Sequence, residues 1–297
     1  MVGGGPAGLT AAIYLARFRL TVRVLDGGDS RADLIPCTRN LSGFPAGIAG
    51  PDLLARMRRQ AGEFDVELQR GRVQALEKAG EIWSASGDFP SLSARSVLLA
   101  TGVSNRRPVM DEAMHAQALS QGQLRYCPVC DGFEVTDQNV GVIGTGEHGV
   151  REALFLRAYT ARVTLVANDG VHDLTDAQRA QLGKVGIETL DGPVGDFQLG
   201  PASLSLRCAA NEVRTFDTVY PALGSTARSE LASSLGAETS ADGCIKVGAH
   251  QRTSIAGLYA AGDVVLGLDQ ISHAMGEASV AATAIRNDLA ERAPMLR

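Results

Sequence analysis

The 297-residue sequence predicts an α/β protein with two nucleotide-binding-type units built on parallel strands. Two glycine clusters support this prediction: one opens the chain, and the other lies at residues 141–149. Each cluster is followed by a stretch of helical character and then by a short run rich in β-branched residues. This order of glycine loop, helix and strand is typical of a parallel βαβ unit.

The composition excludes several other classes of protein. The 28 Lys and Arg against 33 Asp and Glu give a net charge of −5, with no basic run, which disfavours nucleic-acid binding. No apolar stretch approaches the roughly 18 residues of a membrane span. The five cysteines are too few for a disulfide-stapled secreted domain, and no signal peptide precedes them. We therefore expect a cytoplasmic globular protein that binds no nucleic acid and no membrane.

The first glycine loop has the spacing of a dinucleotide-binding loop. Gly3, Gly5 and Gly8 would provide a tight turn, close approach of a pyrophosphate to the backbone, and close helix packing. The helix that follows would offer free N–H groups to the phosphates. Asp26 ends the next strand, where an acidic residue would bind a ribose hydroxyl. A glycine-rich turn with a purely structural role is the alternative.

The strand before this loop is unusually short. Only Met1 and Val2 precede Gly3, whereas a central strand of a parallel sheet usually has about five or six residues. We therefore expect a truncated start.

Two further segments are apolar runs that end in glycine together with a polar residue, as strands that approach a cofactor do. Residues 96–102 form an apolar run that ends in Thr101-Gly102, and residues 257–263 form another that ends in Gly262-Asp263. An alanine-rich helix is predicted at about residues 276–289. The Pro-containing segment 106–108 is predicted to be a linker.

The segment CPVCDG contains a closely spaced cysteine pair. The spacing predicts that Cys127 and Cys130 lie on one helical turn, where they can form a disulfide and exchange it. Asp131 follows directly and is placed to donate or accept a proton. Half of a zinc site and two inert core cysteines are the alternatives. Zinc would need two more ligands at suitable spacing, and no second CxxC or HxxxH occurs. We expect Cys37, Cys208 and Cys244 to be small buried hydrophobes, and we predict no metal site.

Taken in order, these motifs resemble those of the low-molecular-weight bacterial thioredoxin reductases, which are FAD-dependent pyridine nucleotide-disulfide oxidoreductases. The resemblance covers nearly the whole chain and rests on GGGPAG at the start, ATG at 100–102, CPVCDG at 127–132, the second glycine loop, AAGD at 260–263 and Gln270. It implies two Rossmann-like domains with parallel sheets, the second inserted into the first. The FAD-binding domain would comprise residues 1–108 and 221–297, and residues 109–220 would form the inserted nucleotide-binding-like domain with the cysteine pair. Members are usually homodimers that pass electrons from NADPH through FAD and the cysteines to thioredoxin.

The resemblance also implies roles for single residues. Cys127 and Cys130 would be the redox pair, with Cys130 nearer the flavin, and Asp131 would be the acid. The implied FAD contacts are Gly3, Gly5, Pro6, Ala7, Gly8, Asp26, Asn40, Val73, Thr101, Asp263 and Gln270.

The second glycine loop departs from the family pattern. Glu147 stands at the start of its helix, where a carboxylate would repel a pyrophosphate. In the family a His-Arg-Arg patch follows the next strand and binds the 2′-phosphate of NADPH, but residues 167–169 here read Ala-Asn-Asp. We therefore expect an atypical member with a degraded NADPH site, for which NADH or no nicotinamide at all is the alternative. A loop kept only for helix–strand packing is an equally simple interpretation.

The region near Gln270 carries one further candidate. Asp269 stands where the family often has Arg, and His273 falls three residues after Gln270. A histidine near a flavin and a thiol pair could move protons near neutral pH, so we include His273 among the catalytic candidates. A helix-capping or surface histidine is the alternative.

The function predicted from the sequence is therefore an FAD-dependent thiol–disulfide oxidoreductase that NADPH is not expected to drive. Its partner would be a thioredoxin-like protein or a small dithiol or disulfide, and ferredoxin or another redox protein is a possible electron donor. A dithiol oxidase that passes electrons to oxygen and a non-catalytic redox-sensing flavoprotein are the alternatives.

Overall fold

The computed structural model describes residues 1–293. The helices are α1 (Pro6–Arg17), α2 (Gly50–Gly62), α3 (Glu112–Ser120), α4 (Pro128–Asp131), α5 (Gly146–Leu156), α6 (Asp176–Lys184), α7 (Glu230–Ser234) and α8 (Ile271–Arg292). Short 3₁₀ turns lie at Arg31–Leu34, Gly132–Val135 and Ala209–Asn211.

The strands are, in chain order, β1 (Arg23–Asp26), β2 (Glu67–Arg70), β3 (Val73–Ala79), β4 (Ile82–Gly87), β5 (Leu92–Ala94), β6 (Val97–Leu99), β7 (Val103–Asn105), β8 (Asn139–Ile143), β9 (Arg162–Val166), β10 (Glu188–Leu190), β11 (Gly195–Leu199), β12 (Leu204–Arg207), β13 (Val213–Phe216), β14 (Thr218–Pro221), β15 (Ser225–Ala227) and β16 (Leu258–Ala260).

The chain forms two compact units. Unit 1 contains Met1–Cys37, Leu41–Ser104 and the residues from Thr226 onward. Unit 2 contains Asn105–Ser225 together with the short segment Thr38–Asn40.

The parallel sheet of unit 1 is completed by Val2. β1 pairs with β2, and β6 pairs with β16, both in parallel. Val2 bridges Leu25 of β1 and Leu99 of β6 in parallel, and its N–H donates to the Leu98 carbonyl at 2.9 Å. The two residues that precede the glycine loop therefore occupy the central position of this sheet.

Successive side chains of the unit 1 strands point to opposite faces, as expected for strands buried on both sides. Leu98 packs with Ala11 of α1 and Ala278 of α8 on one face. Leu99 packs with Trp83 on the other face, where the antiparallel strands β3, β4 and β5 lie. Helices cover one face of the parallel sheet and antiparallel strands cover the other. These two layers hold in place the edge of the sheet at which the first glycine loop begins.

Unit 2 repeats this plan with its own elements. Its parallel sheet has the strand order β10-β9-β8-β14, and an antiparallel sheet has the order β11-β12-β13. Val142 packs with Ala153 of α5 on one face, whereas Ile143 packs with Phe216 of β13 on the other. The predicted α/β class with parallel sheets is confirmed.

Every helix among residues 1–293 is too short or too polar to span a membrane. No group of three or more His, Cys, Asp or Glu side chains there could hold a metal ion. Of the three cysteines outside the pair, Cys208 is buried and Cys244 partly buried, but Cys37 is exposed, so the prediction of a buried residue is wrong for Cys37.

Candidate active site

The first glycine loop leaves no room for side chains at two of its positions. Gly3 has a φ of +108°, and a Cβ there would lie 2.2 Å from the Ala100 carbonyl oxygen. A Cβ on Gly8 would lie 2.0 Å from the Gly3 carbonyl oxygen. These contacts bring the start of α1 directly against the end of β6, so both glycines are required by the backbone packing.

The N-terminus of α1 presents unused donors at this loop. Helix-type hydrogen bonding starts with the Leu9 N–H, which donates to the Gly5 carbonyl at 3.0 Å. The N–H groups of Gly5, Ala7 and Gly8 precede that bond, so they have no acceptor within the helix. No acidic residue lies in the first turn. The donors and the positive end of the helix dipole make this a place where an anion can bind.

Asp26 lies against the same loop. A Cβ on Gly4 would be 2.4 Å from the Asp26 carboxyl carbon, which shows how closely the carboxylate approaches the backbone. Its Oδ1 accepts a hydrogen bond from the Gly28 N–H at 2.9 Å, and its Oδ2 lies 3.3 Å from the Arg58 guanidinium. The carboxylate predicted to bind a ribose is therefore beside the glycine loop.

The remaining predicted cofactor residues are placed as follows. Thr101 follows β6, and its hydroxyl donates to the Arg228 carbonyl at 2.6 Å. Val73 is buried at the start of β3. Gln270 is buried and occupies the N-cap position of α8. Asn40 clusters with unit 2, where its side-chain amide donates to the Val129 carbonyl at 3.4 Å.

Asp263 belongs to a charged cluster that the sequence did not reveal. The Arg31 guanidinium lies 3.0 Å from Asp263 and 2.9 Å from Asp269. Arg31 is 232 residues from Asp263, so no local spacing could have paired them. Burial raises the pKa of Asp269, an effect that the Asp263 charge increases and Arg31 opposes.

His273 pairs with a glutamate on its own helix. Its Nε2 lies 3.2 Å from Glu277, and 41 % of its side chain is exposed. Glu277 also accepts a hydrogen bond from the Gly262 N–H at 2.8 Å. The sequence reasoning missed Glu277, although its position four residues after His273 was a readable signal.

The cysteine pair forms a disulfide at the start of a short helix. The Cα atoms of Cys127 and Cys130 are 5.2 Å apart. Cys127 caps α4, and its sulfur accepts a hydrogen bond from the Cys130 N–H at 3.2 Å. Pro128 opens the helix, where its missing N–H costs nothing. The predicted single helical turn therefore holds both sulfurs.

Asp131 is held by two donors. Arg125 contacts its Oδ2 at 2.9 Å, and the Tyr220 hydroxyl donates to its Oδ1 at 2.8 Å. Burial raises the pKa of Asp131, while the positive charge of Arg125 opposes that rise. The pKa of the buried Tyr220 phenol is raised by its own burial and by the Asp131 charge. Neither partner was found from the sequence: Tyr220 is 89 residues away, and Arg125, although only 6 residues away, lies outside any helical spacing that would pair it with Asp131.

A second buried carboxyl group lies close to this network. Glu152 projects from α5, which packs against α4, and only 13 % of its side chain is exposed. Burial and the negative charge of Asp131 raise the pKa of Glu152 to about 7. The sequence analysis passed over Glu152 because an acidic residue on an amphipathic helix usually faces water.

The second glycine loop is covered by a neighbouring segment of unit 2. Gly146 opens α5 with a φ of +60°, and its N–H donates to the Asp173 carbonyl at 3.0 Å. The Thr145 hydroxyl accepts a hydrogen bond from the Asp173 N–H at 2.8 Å and lies 3.2 Å from Nδ1 of the buried His172. A donor that could face a pyrophosphate is therefore already bonded to the protein.

Acidic side chains stand at two positions of this unit where a nucleotide phosphate would approach. Glu147 is exposed in the first turn of α5. Asn168 donates from its side-chain amide to the carboxylate of the exposed Asp169 at 2.7 Å, at the position where the family resemblance calls for arginines.

The comparisons with known proteins agree with this fold. Residues 1–278 match the family described as pyridine nucleotide-disulphide oxidoreductase. The chain belongs to this family.

Within the family, the chain is a thioredoxin reductase-like flavin disulfide oxidoreductase. It is 31 % identical to the thioredoxin reductase of Streptomyces coelicolor over 89 % of this chain and 85 % of that protein. It is also 31 % identical to the glucosaminate ammonia-lyase of Pseudomonas fluorescens over 89 % of this chain and 86 % of that protein. The crystal structure of HlmI superposes with a TM-score of 0.89 at 30 % identity, covering 98 % of this chain and 91 % of that one.

These matches confirm the resemblance and the enzyme class predicted from the sequence, and the family implies FAD. The individual site residues, the domain boundaries, the homodimer and the cytoplasmic location stay predictions.

Proposed function

We propose that this chain exchanges electrons between FAD, the Cys127–Cys130 pair and a protein or small-molecule dithiol or disulfide, without NADPH as the electron donor. The family match supports the reaction class. The disulfide at the start of α4 and its neighbouring acid support the route through the cysteines.

The residues at the first glycine loop fit FAD. Gly3 and Gly8 keep side chains away from the loop, and the N–H groups of Ala7 and Gly8 would hold the pyrophosphate. Asp26 would accept hydrogen bonds from a ribose. The other contacts that we propose are Gly5, Pro6, Asn40, Val73, Thr101, Asp263 and Gln270. When bound, FAD supplies a centre that takes up and releases an electron pair.

The hydrogen bond from the Gly146 N–H to the Asp173 carbonyl carries the proposal that NADPH is not the donor. A pyrophosphate would have to replace this bond and accept the nearby charge of Glu147. Asp169 then repels a 2′-phosphate, where a positive side chain would be needed to bind it. For NADH the bonded Gly146 N–H and the charge of Glu147 are still obstacles. Asp169 is not, because NADH has no 2′-phosphate.

The cysteine pair defines the class of partner. A thiolate of the partner attacks the disulfide through a mixed disulfide, so the partner is a dithiol or a disulfide. A thioredoxin-like protein is the first candidate, since several relatives are named thioredoxin reductases. Cys127 and Cys130 exchange electrons with this partner, and Asp131 and His273 serve as proton donors or acceptors. We further propose a cytoplasmic homodimer.

An anaerobic titration of the flavin-loaded chain tests this proposal. NADPH, NADH and a dithiol are added separately while the flavin absorption band is followed. We expect the dithiol to bleach the flavin and NADPH to leave it oxidised, and the Cys130→Ser variant to resist the dithiol. Rapid bleaching by NADPH would overturn the proposal about the donor. A chain without flavin, or a flavin that a dithiol does not reduce, would overturn the reaction class.

A dithiol oxidase is the second candidate, favoured by the same covered loop. If nicotinamide does not enter, a dithiol can be the electron source, and it would be oxidised to a disulfide while oxygen is reduced to hydrogen peroxide. Stoichiometric peroxide from a dithiol in air would support this direction. Absence of peroxide together with flavin reduction by reduced ferredoxin would instead support a redox-protein donor. Any steady-state turnover would exclude a purely sensing flavoprotein.

A further inference from the structure

Two buried carboxyl groups of unit 2 have opposite surroundings. Asp131 accepts hydrogen bonds on both oxygens, from Arg125 at 2.9 Å and from Tyr220 at 2.8 Å. These are the partners that favour a charged carboxylate. Asp131 is therefore well suited to carry a negative charge inside the protein.

Glu152 lacks such partners. Its Oε1 is buried, with no hydrogen-bond partner among residues 1–293. Its Oε2 lies 3.8 Å from Nε2 of the exposed His148, which is too long for a hydrogen bond. A charged Glu152 would be a buried charge without a compensating partner. A protonated Glu152 is neutral and has no charge to compensate.

The two groups also repel each other when both are charged. The Asp131 charge raises the pKa of Glu152 to about 7, together with burial. Two interacting carboxyl groups in a poorly solvated place tend to keep one proton between them. Burial raises the pKa of both groups, but only Asp131 has partners, Arg125 and Tyr220, that stabilise its charge, so Glu152 is the more favourable site for the shared proton.

We propose that Glu152 holds the proton of this carboxyl pair near neutral pH and passes it through Asp131 to the sulfur that leaves when the Cys127–Cys130 disulfide opens. Glu152 is thus a positioning residue that acts through Asp131. This inference rests on the proposed exchange of thiols at the cysteine pair.

The proton and the electrons balance over one exchange. A substrate thiolate attacks one sulfur, the Cys127–Cys130 bond breaks, a mixed disulfide forms, and the other cysteine leaves as a thiolate that takes the proton. The second substrate thiol then returns a proton to the carboxyl pair and attacks the mixed disulfide. The products are the substrate disulfide, one cysteine thiol and one cysteine thiolate. Two electrons have moved from the substrate to the cysteines, and the carboxyl pair ends as it began.

Other charged groups surround α5, and a pH effect has to be separated from theirs. α5 packs against α4, α6, β8 and β9. The Glu152 charge also raises the pKa of Tyr220 on β14. The remaining titratable and charged residues on these elements are Glu147, His148 and Arg151 on α5, Asp176, Arg179 and Lys184 on α6, and Arg162 on β9. The charge that acts on Glu152 is that of Asp131.

Infrared spectroscopy of the oxidised, flavin-loaded chain tests where the proton lies. We expect the carbonyl band of a protonated carboxylic acid that disappears as the pH rises through about 7. In Glu152→Gln this band should be absent. In Asp131→Asn it should remain and titrate at a lower pH, because the neighbouring charge is gone. Glu63→Gln, an exposed carboxylate in unit 1, is the matched control and should keep the wild-type band.

Loss of the band in Asp131→Asn with its retention in Glu152→Gln would overturn the proposal. A wild-type chain without such a band would overturn it as well.

A second measurement follows the cysteines directly. The chain is mixed anaerobically with dithiothreitol, quenched by alkylation at set times, and the modified cysteines are counted by mass. We expect the rate constant of disulfide opening, expressed per dithiothreitol thiolate, to be about tenfold lower in Glu152→Gln than in the wild type at pH 6. The fall of this rate constant above about pH 7 in the wild type should be absent in the variant. A wild-type rate and pH profile in Glu152→Gln would refute the relay. Because this assay scores cysteines, a flavin that stays oxidised would count against the proposed function alone.

Discussion

The two strand–glycine–helix units of this chain share one backbone plan but differ at the N-terminus of the helix. In unit 1 the first turn of α1 contains no acidic residue, and the N–H groups of Ala7 and Gly8 precede the first helical hydrogen bond. In unit 2 the Gly146 N–H donates to the Asp173 carbonyl, and Glu147 stands in the first turn. The comparison shows that the glycine spacing specifies close helix–strand packing, while anion binding depends on what else reaches the loop.

The interiors of the two helices differ at the equivalent position as well. Ala11 lies eight residues after Gly3 and is fully buried in an apolar cluster. Glu152 lies eight residues after Gly144 and places a buried carboxyl group near Asp131. The unit with the covered glycine loop is thus the unit whose helix carries a titratable group beside the cysteines.

The largest expected effect contrasts one glycine in each loop. In Gly3→Ala the new Cβ would overlap the Ala100 carbonyl oxygen at 2.2 Å, and the φ of +108° is strained for alanine. We expect the purified protein to contain less than about a tenth of the wild-type flavin. In Gly146→Ala the nearest atom is 3.8 Å away and only the positive φ is unfavourable, at about 1 kcal/mol. We expect its flavin content to be unchanged. The ratio of flavin to protein absorbance decides, and equal losses in both variants would refute the comparison.

The next effect concerns stability and pH. The pKa of Glu152 is about 7 in the folded chain, against 4.5 as its ordinary value, so the folded state keeps a proton that the unfolded state has released. Stability of the wild type should therefore fall as the pH rises from about 4.5 to about 7 and then level off. Glu152→Gln should match the wild type below this window and exceed it by about 3 kcal/mol above it. Denaturant unfolding of both chains at pH 4 and pH 8 measures this, with Glu63→Gln as the control. Equal stabilities at pH 8 would contradict the buried charge.

A smaller effect is expected from the charges at the second loop. Replacing Glu147 by Thr and Asp169 by Arg removes two negative charges and adds one positive charge where a phosphate would lie. We expect NADPH to bind about tenfold more tightly, which corresponds to about 1.4 kcal/mol. Binding should nevertheless remain weak, because the bond between Gly146 and Asp173 persists. Fluorescence titration with NADPH measures the change, and Glu63→Arg controls for a gain of positive charge elsewhere on the surface. Tight binding in the wild type would show that the loop is open.

The smallest expected effect is on amide hydrogen exchange in the segment that covers the second glycine loop. Thr145→Val removes the hydroxyl that accepts the Asp173 N–H at 2.8 Å. One such hydrogen bond contributes about 1 kcal/mol, so the amide protons of Gly146 and Asp173 should exchange about fivefold faster. The unfolding midpoint should change little. Hydrogen exchange followed by mass spectrometry tests this, and unchanged exchange at both amides would mean that the hydroxyl does not hold the segment.

Much of the fold could be read from short segments. Both glycine loops, the strands that follow them and the disulfide pair are local patterns, and each appears where the spacing predicts it. Two features escaped this reading. Nothing local marks Cys37 as exposed, and nothing local shows that Tyr220 reaches Asp131 across 89 residues.

The glycine spacing, the CPVCDG segment and the order of the motifs are sufficient to predict a flavin disulfide oxidoreductase from the chain alone. Which donors are open and which acids are buried depends on how distant segments pack. Asp173 lies 28 residues beyond Thr145 in the chain. Its carbonyl accepts the hydrogen bond of the Gly146 N–H because its segment folds back over the loop. Glu152 holds its proton because α4 packs beside it and brings the charge of Asp131. Hydrogen-bond saturation and desolvation are properties of the packed chain, so residue identity alone does not specify them.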